Sequence, residues 1–338
     1  MARFKPGTAR SERFDLYQHV TDQIVAALDQ GVRPWVKPWS AEHLSGRVSR
    51  PLRACGKNYR GINCLVLWLT ATAKGYGSPY WLTYRQAVEL GGNVRKGEHG
   101  AKVCYFDRIT REAVDQNTGE TTAQQIPFVK TYTVFSAEQC DGLPAHFTAV
   151  PAPVATPAFE EARLAHAEAF IAHTGAEIRY GGDRACYAIA ADLISMPPFS
   201  AFADPHDFYS TELHELVHWT RHEKRLNRDC GRRRWGDEGY AMEELVAELS
   251  SAFLCADLGI DLSNRTDHAS YIDSWLRILR GDRQAIFHAA AMAERAADWL
   301  HACQPAAGEH DADPLTDETP AVAAASADSV VLPLAAAA

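Results

Sequence analysis

Residues 211–222 read Thr211-Glu212-Leu213-His214-Glu215-Leu216-Val217-His218-Trp219-Thr220-Arg221-His222. The stretch holds a His-Glu-x-x-His pattern at His214, Glu215 and His218, set among the apolar Leu213, Leu216 and Val217. Residues four apart on a helix differ by about 40° in azimuth and one turn in height, so both imidazoles can reach one cation. Glu215 falls on the flank of that face, where it can take a proton from an attacking water and return it to a leaving group. A buried histidine pair and glutamate without partners would be costly, which favours a metal over a solvated helix face.

A hydrolytic zinc site takes three protein ligands and leaves the fourth position open. The segment Met242-Glu243-Glu244-Leu245-Val246-Ala247-Glu248-Leu249 supplies the third. Glu244 and Glu248 share a face. Glu244 is assigned as the ligand and Glu248 as the outer acceptor for an imidazole N–H, with the reverse order as the alternative. Glu243 points about 100° away and is the weaker candidate. His222 lies four residues beyond His218, but a fourth ligand from the same helix would close the site.

Outward from this region the chain divides by charge. Its 338 residues carry a net charge of −9, yet residues 1–150 hold 19 Lys+Arg against 13 Asp+Glu, and the remainder is strongly acidic. The segment 146–157 (HFTAVPAPVATP) reads as a Pro-rich extended linker. Residues 304–338, rich in Ala, Pro and acidic side chains, read as a disordered tail. The expected organisation is a front domain at 1–145, the linker at 146–157, a rear domain at 158–303 and the tail at 304–338. The eight cysteines are scattered with no Cys-x-x-Cys pair, and no apolar run approaches a membrane span. A reduced, cytoplasmic protein with no membrane partner is expected.

The fold class expected is α+β, with a mixed α/β front domain and a mainly helical rear domain carrying a small sheet. In front, apolar spacing predicts helices from Phe14 to Leu28, Ile62 to Ala73 and Thr83 to Leu90. Val, Ile, Tyr and Phe enrichment predicts strands over Ala101–Ile109 and Pro127–Ser136, with a turn at Asp115–Gly119. In the rear, helices are predicted near 158–173, 205–221, 239–257, 266–279 and 282–302, with short strands near 177–180 and 185–190.

Basic and aromatic residues interleave in the front domain. Arg33, Trp35, Lys37, Trp39, Tyr59, Arg60, Trp81, Tyr84, Arg85, Lys96 and Lys102 form the candidate nucleic-acid set. Cations neutralise phosphates and aromatic faces accept unstacked bases, a mixture suited to single-stranded DNA. Trp68, on an apolar helix, reads as core, and Trp35 and Trp39 could equally be indoles plugging a small core.

The order of several blocks resembles the ArdC family of antirestriction proteins. They are Asp15-Leu16-Tyr17, Gly31-Val32-Arg33-Pro34-Trp35, Tyr59-Arg60-Gly61-Ile62-Asn63, Trp81-Leu82-Thr83-Tyr84-Arg85, Val94-Arg95-Lys96-Gly97-Glu98, His214–His218 and Glu243–Glu248. The front also resembles the N-terminal part of TraC-type plasmid primases. The resemblance implies a front domain binding single-stranded DNA and a zincin-like metallopeptidase rear domain with Zn2+ as cofactor. It further implies protection of incoming plasmid DNA from restriction during conjugation, with a host restriction component or another protein as possible substrate. A DNA-binding accessory protein with a purely structural zinc is the competing expectation, and a peptidase whose front domain recognises protein is a third.

Overall fold

The computed structural model describes residues 15–35, 49–114, 121–148, 157–202, 204–231, 238–262 and 271–305. Lys37, Trp39, the turn at 115–119 and the acidic tail beyond residue 305 lie outside the described residues.

Helix α1 (Leu16–Asp29) starts where the Asp15 carboxylate accepts the Gln18 N–H at 3.1 Å. It stops before Gly31, whose φ of +71° suits a residue without Cβ. Strand β1 (Leu52–Arg53) and α2 (Ile62–Lys74) follow. β2 (Tyr80–Thr83) runs into α3 (Tyr84–Glu89) through a capping box between Thr83 and Gln86. β3 (Asn93–Val94), the long hairpin β4 (Ala101–Val114) and β5 (Thr121–Ser136), and β6 (Cys140–Asp141) complete the front sheets. One sheet has the order β1-β2-β5-β4, with β1 parallel to β2 and the other pairs antiparallel; β3 pairs with β6. The hairpin is in register from Ala101↔Val134 to Val114↔Thr121, longer at both inner ends than expected.

The linker reading is corrected at its start. Ala145–Thr148 forms a helical turn, α4, because Phe147 anchors it in a small cluster with Leu82 and Ala137. Pro157 opens α5 (Pro157–His173), and residues 149–156 are outside the described set. The rear sheet has the order β7-β9-β8, from Ile178–Tyr180, Cys186–Ala188 and Leu193–Met196. The third of these strands, β9, was not expected and is its central strand. The helices are α6 (Pro205–Thr220), α7 (Glu238–Leu258), α8 (Ile272–Gly281) and α9 (Ala285–Ala302).

Front and rear share one continuous hydrophobic core. Tyr17 meets Phe287 edge-on at 4.7 Å, Trp35 meets Trp275 at 5.9 Å and Trp68 tilts against Phe253 at 5.9 Å. Polar ties accompany these contacts. The Thr21 hydroxyl donates to the Arg283 carbonyl at 2.7 Å, and Arg280 pairs with Asp29 at 2.6 Å. The composition boundary near residue 150 therefore marks a change of charge and not a gap between cores.

Candidate metal centre

Helix α6 is launched by Pro205 in its first turn and by the Asp204 carboxylate, which accepts the His206 N–H at 2.8 Å. Two turns later it buries His214 and His218 against α7, which buries Glu243, Glu244 and Glu248. The two imidazole Nε2 atoms stand 3.2 Å apart. Glu244 Oε2 lies 3.5 Å from His214 Nε2, and Glu244 Oε1 lies 3.5 Å from His218 Nε2. A cation about 2.0–2.2 Å from nitrogen and oxygen ligands at tetrahedral angles would set neighbouring ligand atoms about 3.3–3.5 Å apart. The triangle thus has the size of a divalent-metal site, and His214, His218 and Glu244 form the cluster expected of one. Glu215 is buried beside them, near enough for its charge to act on His218.

Each histidine of the cluster faces a further carboxylate with its Nδ1. His218 Nδ1 is 3.2 Å from Glu243 Oε1, and His214 Nδ1 is 3.8 Å from Glu248 Oε2. Such carboxylates orient the ring and fix its tautomer. Glu248 thus lies on the Nδ1 side of His214, at a distance longer than a hydrogen bond. Glu243, discounted as a ligand by its azimuth, turns out to back His218, because α7 crosses α6 and brings two adjacent carboxylates to two different imidazole nitrogens.

The Glu243 carboxylate receives the buried Arg228 guanidinium through Nη2 at 2.6 Å and Nε at 2.9 Å. Burial acts to raise its pKa, but Arg228 and then His218 outweigh this and hold it at about 2. Arg228 carried no sequence signal, since it lies in a loop with no periodic face. His222 closes a turn instead of ligating: its Nδ1 accepts the Lys224 N–H at 3.2 Å. On the far side of Glu244, the Tyr240 and Tyr271 hydroxyls are 2.9 Å apart. Burial, Tyr271 and the Glu244 carboxylate all push the Tyr240 phenol well above its ordinary range.

The ionisation of the cluster predicts how metal uptake follows pH. Burial is the largest influence on His218 and acts downward, yet Glu244 and Glu243 together push the ring up to about 10. A proton therefore occupies the cation-free site at neutral pH, and an incoming metal displaces it. Apparent affinity for Zn2+ should rise with pH between 6 and 8, by about tenfold per unit for each proton displaced. Chelator competition across that range checks this, and a flat profile contradicts it.

The front residues proposed for nucleic acid are dispersed. Trp35, Tyr59 and Trp81 are buried, so base stacking on them is excluded in this conformation. Trp35 Nε1 and Arg33 Nη1 both donate to Glu248, at 3.2 and 3.1 Å. The Tyr59 hydroxyl donates to the Trp81 carbonyl at 3.4 Å. Trp68 is core as expected, its Nε1 donating to the Ser49 carbonyl at 3.1 Å. Arg60 is half exposed and pairs with Asp298 and Glu294. Tyr84, Arg85, Lys96 and Lys102 are exposed. Sequence reasoning missed the exposed aromatics of the hairpin, Tyr105, Phe106 and Tyr132, which read as ordinary strand residues.

Both regions resemble known proteins. Residues 14–135 match the family described as the N-terminal domain of anti-restriction factor ArdC, and residues 165–292 match the zincin-like metallopeptidase family. A Sinorhizobium fredii protein designated y4eC, itself uncharacterised, is 41% identical over 294 residues, covering 86% of this chain and 92% of that protein. An Escherichia coli DNA primase, TraC, is 36% identical over 299 residues, spanning 84% of this chain but 27% of the primase. The metal-free crystal structure of the antirestriction ArdC protein from plasmid R388 is 46% identical with a TM-score of 0.70. It covers 86% of this chain and 98% of that one. The Mn(II)-bound structure of the same protein gives 44% identity and a TM-score of 0.69.

Proposed function

Because the chain belongs to the ArdC family of antirestriction proteins, we propose that it binds single-stranded plasmid DNA and protects it from host restriction during conjugative transfer, acting through a zinc-dependent hydrolytic site. The observation that carries the reading is the convergence of His214, His218 and Glu244 on one point, with Glu215 beside them on the same helix. A bound divalent cation supplies Lewis acidity toward a carbonyl and toward water. Glu215 receives the proton that the attacking water gives up and returns it to the leaving amine. Glu243 and Glu248 face the Nδ1 side of the two imidazoles, and carboxylates so placed would leave Nε2 of each ring to hold the cation. The substrate implied is a protein, with a component of the restriction machinery as the natural candidate.

For the DNA partner, the exposed aromatics favour a different surface from the one composition suggested. On one face of the β4–β5 hairpin, Tyr105 and Tyr132 are about half exposed with ring centroids 6.3 Å apart, and Lys130 is the register partner of Tyr105. Lys102 and Arg108 are exposed on the opposite face of the same strand. Tyr105 and Tyr132 with Lys130 supply stacking faces beside a cation, which is the chemistry of a sequence-tolerant single-strand site. Replacing Tyr105 and Tyr132 together by Ala should weaken binding of a fluorescent oligothymidylate by roughly 1–3 kcal/mol per base stack. Affinity of the unaltered chain should fall steeply with salt. Unchanged affinity in the double variant removes the hairpin from the interface. The biological reading is tested by plasmid transfer into restricting and non-restricting recipients. Supplying the chain should raise transfer only into the former, and equal frequencies with and without it refute the antirestriction role.

No helix among the described residues is long and apolar enough to cross a membrane.

A further inference from the structure

The two carboxylates behind the ligand histidines are secured by different parts of the chain. Glu243 is held by Arg228 and by the Cys230 thiol at 3.3 Å, both from the loop that follows α6. Glu248 is held from the front region, more than two hundred residues earlier. Its Oε1 accepts from Arg33 Nη1 at 3.1 Å and from Trp35 Nε1 at 3.2 Å, while its Oε2 faces His214 Nδ1 at 3.8 Å. One oxygen of this buried carboxylate is therefore committed to the front segment, and the other faces the His214 ring at a charge-pair distance longer than a hydrogen bond.

The segment has little freedom to leave. Trp35 is 1% exposed and packs edge-on against Trp275, whose own indole N–H donates to the Ala241 carbonyl of α7 at 3.1 Å. Val32 N–H closes back on the Ala27 carbonyl at 2.9 Å, tying the approach to the end of α1. A carboxylate as buried as Glu248 needs such donors, since an ion taken from water without them is strongly disfavoured. If they are removed, the side chain is free to turn, and His214 then loses the carboxylate that faces its Nδ1.

We infer that Arg33 and Trp35 are positioning residues of the metal centre, acting on His214 through Glu248, so that the centre is completed by the front region of the chain. This rests on the reading of His214, His218 and Glu244 as metal ligands. It gives a structural reason for the two regions to be fused, and it assigns to Trp35 and Arg33 a task other than contact with nucleic acid. Carboxylates that orient ligand histidines typically contribute roughly 10–100-fold to metal affinity.

The test measures Zn2+ and Mn2+ dissociation constants by chelator competition on the full chain. Trp35→Phe removes the indole N–H while keeping an aromatic ring, and Arg33→Gln removes the guanidinium. Each is expected to weaken metal binding roughly 10–100-fold. Trp68→Phe removes an equally buried indole donor that serves only the Ser49 carbonyl, and it should retain the unaltered affinity. In a Glu248→Gln background, Trp35→Phe should add no further loss, because its effect passes through that carboxylate. The inference is overturned if both front variants bind metal like the unaltered chain, if Trp68→Phe loses as much as Trp35→Phe, or if the Trp35 and Glu248 losses are additive. Unaltered protein that binds neither metal any better than His214→Ala overturns the underlying ligand reading instead, which separates the two failures.

Discussion

Glu215→Gln should retain its metal and its affinity for single-stranded DNA while losing protection of transferred DNA. The substitution keeps the shape of the side chain and removes only its capacity to accept a proton. In the proposed site the cation is held by His214, His218 and Glu244, and the carboxylates behind the histidines are Glu243 and Glu248. None of these depends on Glu215 for a hydrogen bond. Metal stoichiometry should therefore be unchanged, and the hairpin bearing Tyr105 and Tyr132 belongs to a different part of the fold. A positioned general base and acid contributes roughly 10²–10⁴-fold in rate, and a loss of that order in peptide-bond hydrolysis is expected. The same variant separates the catalytic reading from a structural one. If plasmid transfer into a restricting recipient is protected as well by Glu215→Gln as by the unaltered chain, the metal only ties α6 to α7, contributing its coordination energy to stability.

The ease with which this site was read from sequence has a simple cause. His214, Glu215 and His218 are neighbours on one helix, so spacing alone fixes their relative azimuth, and the same holds for Glu244 and Glu248 on α7. Both helices also carried apolar periodicity long enough to be recognised. The aromatics of the front were harder. Trp35, Tyr59 and Trp81 have the composition of a base-binding surface, but whether an indole faces solvent depends on a partner far away in sequence, such as Trp275 for Trp35. The exposed Tyr105 and Tyr132 lie in strands whose alternation does not say which face is covered. Glu243 and Arg228 were illegible for a related reason: their roles depend on how α6 and α7 cross, and on a loop that no periodicity describes. Strands β1, β3 and β6 are two residues each, too short to show a period of two.

Arg50 is expected to be the single most costly charged side chain to remove from the junction between front and rear. It precedes β1, is buried, and donates through Nη1 to Glu294 Oε1 at 2.7 Å and through Nη2 to Asp257 Oδ2 at 2.8 Å. Its guanidinium also lies over the Phe253 ring, 4.7 Å from the centroid. The acidic partners come from α9 and α7, and Glu294 Oε2 additionally accepts the Gly61 N–H at 2.7 Å at the start of α2. Removing the arginine takes the buried counter-charge from two carboxylates with little access to water, leaving Glu294 to the half-exposed Arg60 and Asp257 to the exposed His301. Breaking a buried pair in this way typically costs about 3–5 kcal/mol. Arg50→Met should therefore lower the unfolding free energy by about that amount in denaturant melts. Because the core is continuous across both regions, the loss should displace a single transition and not detach one half from the other. Arg280→Ala is the matched comparison. That residue pairs with Asp29 across the same junction at 2.6 Å, but its side chain is 56% exposed, and exposed pairs contribute about 0–1 kcal/mol. Combining Arg50→Met with Glu294→Gln should recover part of the stability, since the penalty arises from the uncompensated charge more than from the lost attraction. Equal costs for Arg50→Met and Arg280→Ala would show that apolar contacts such as Trp68 on Phe253 hold the two regions together unaided.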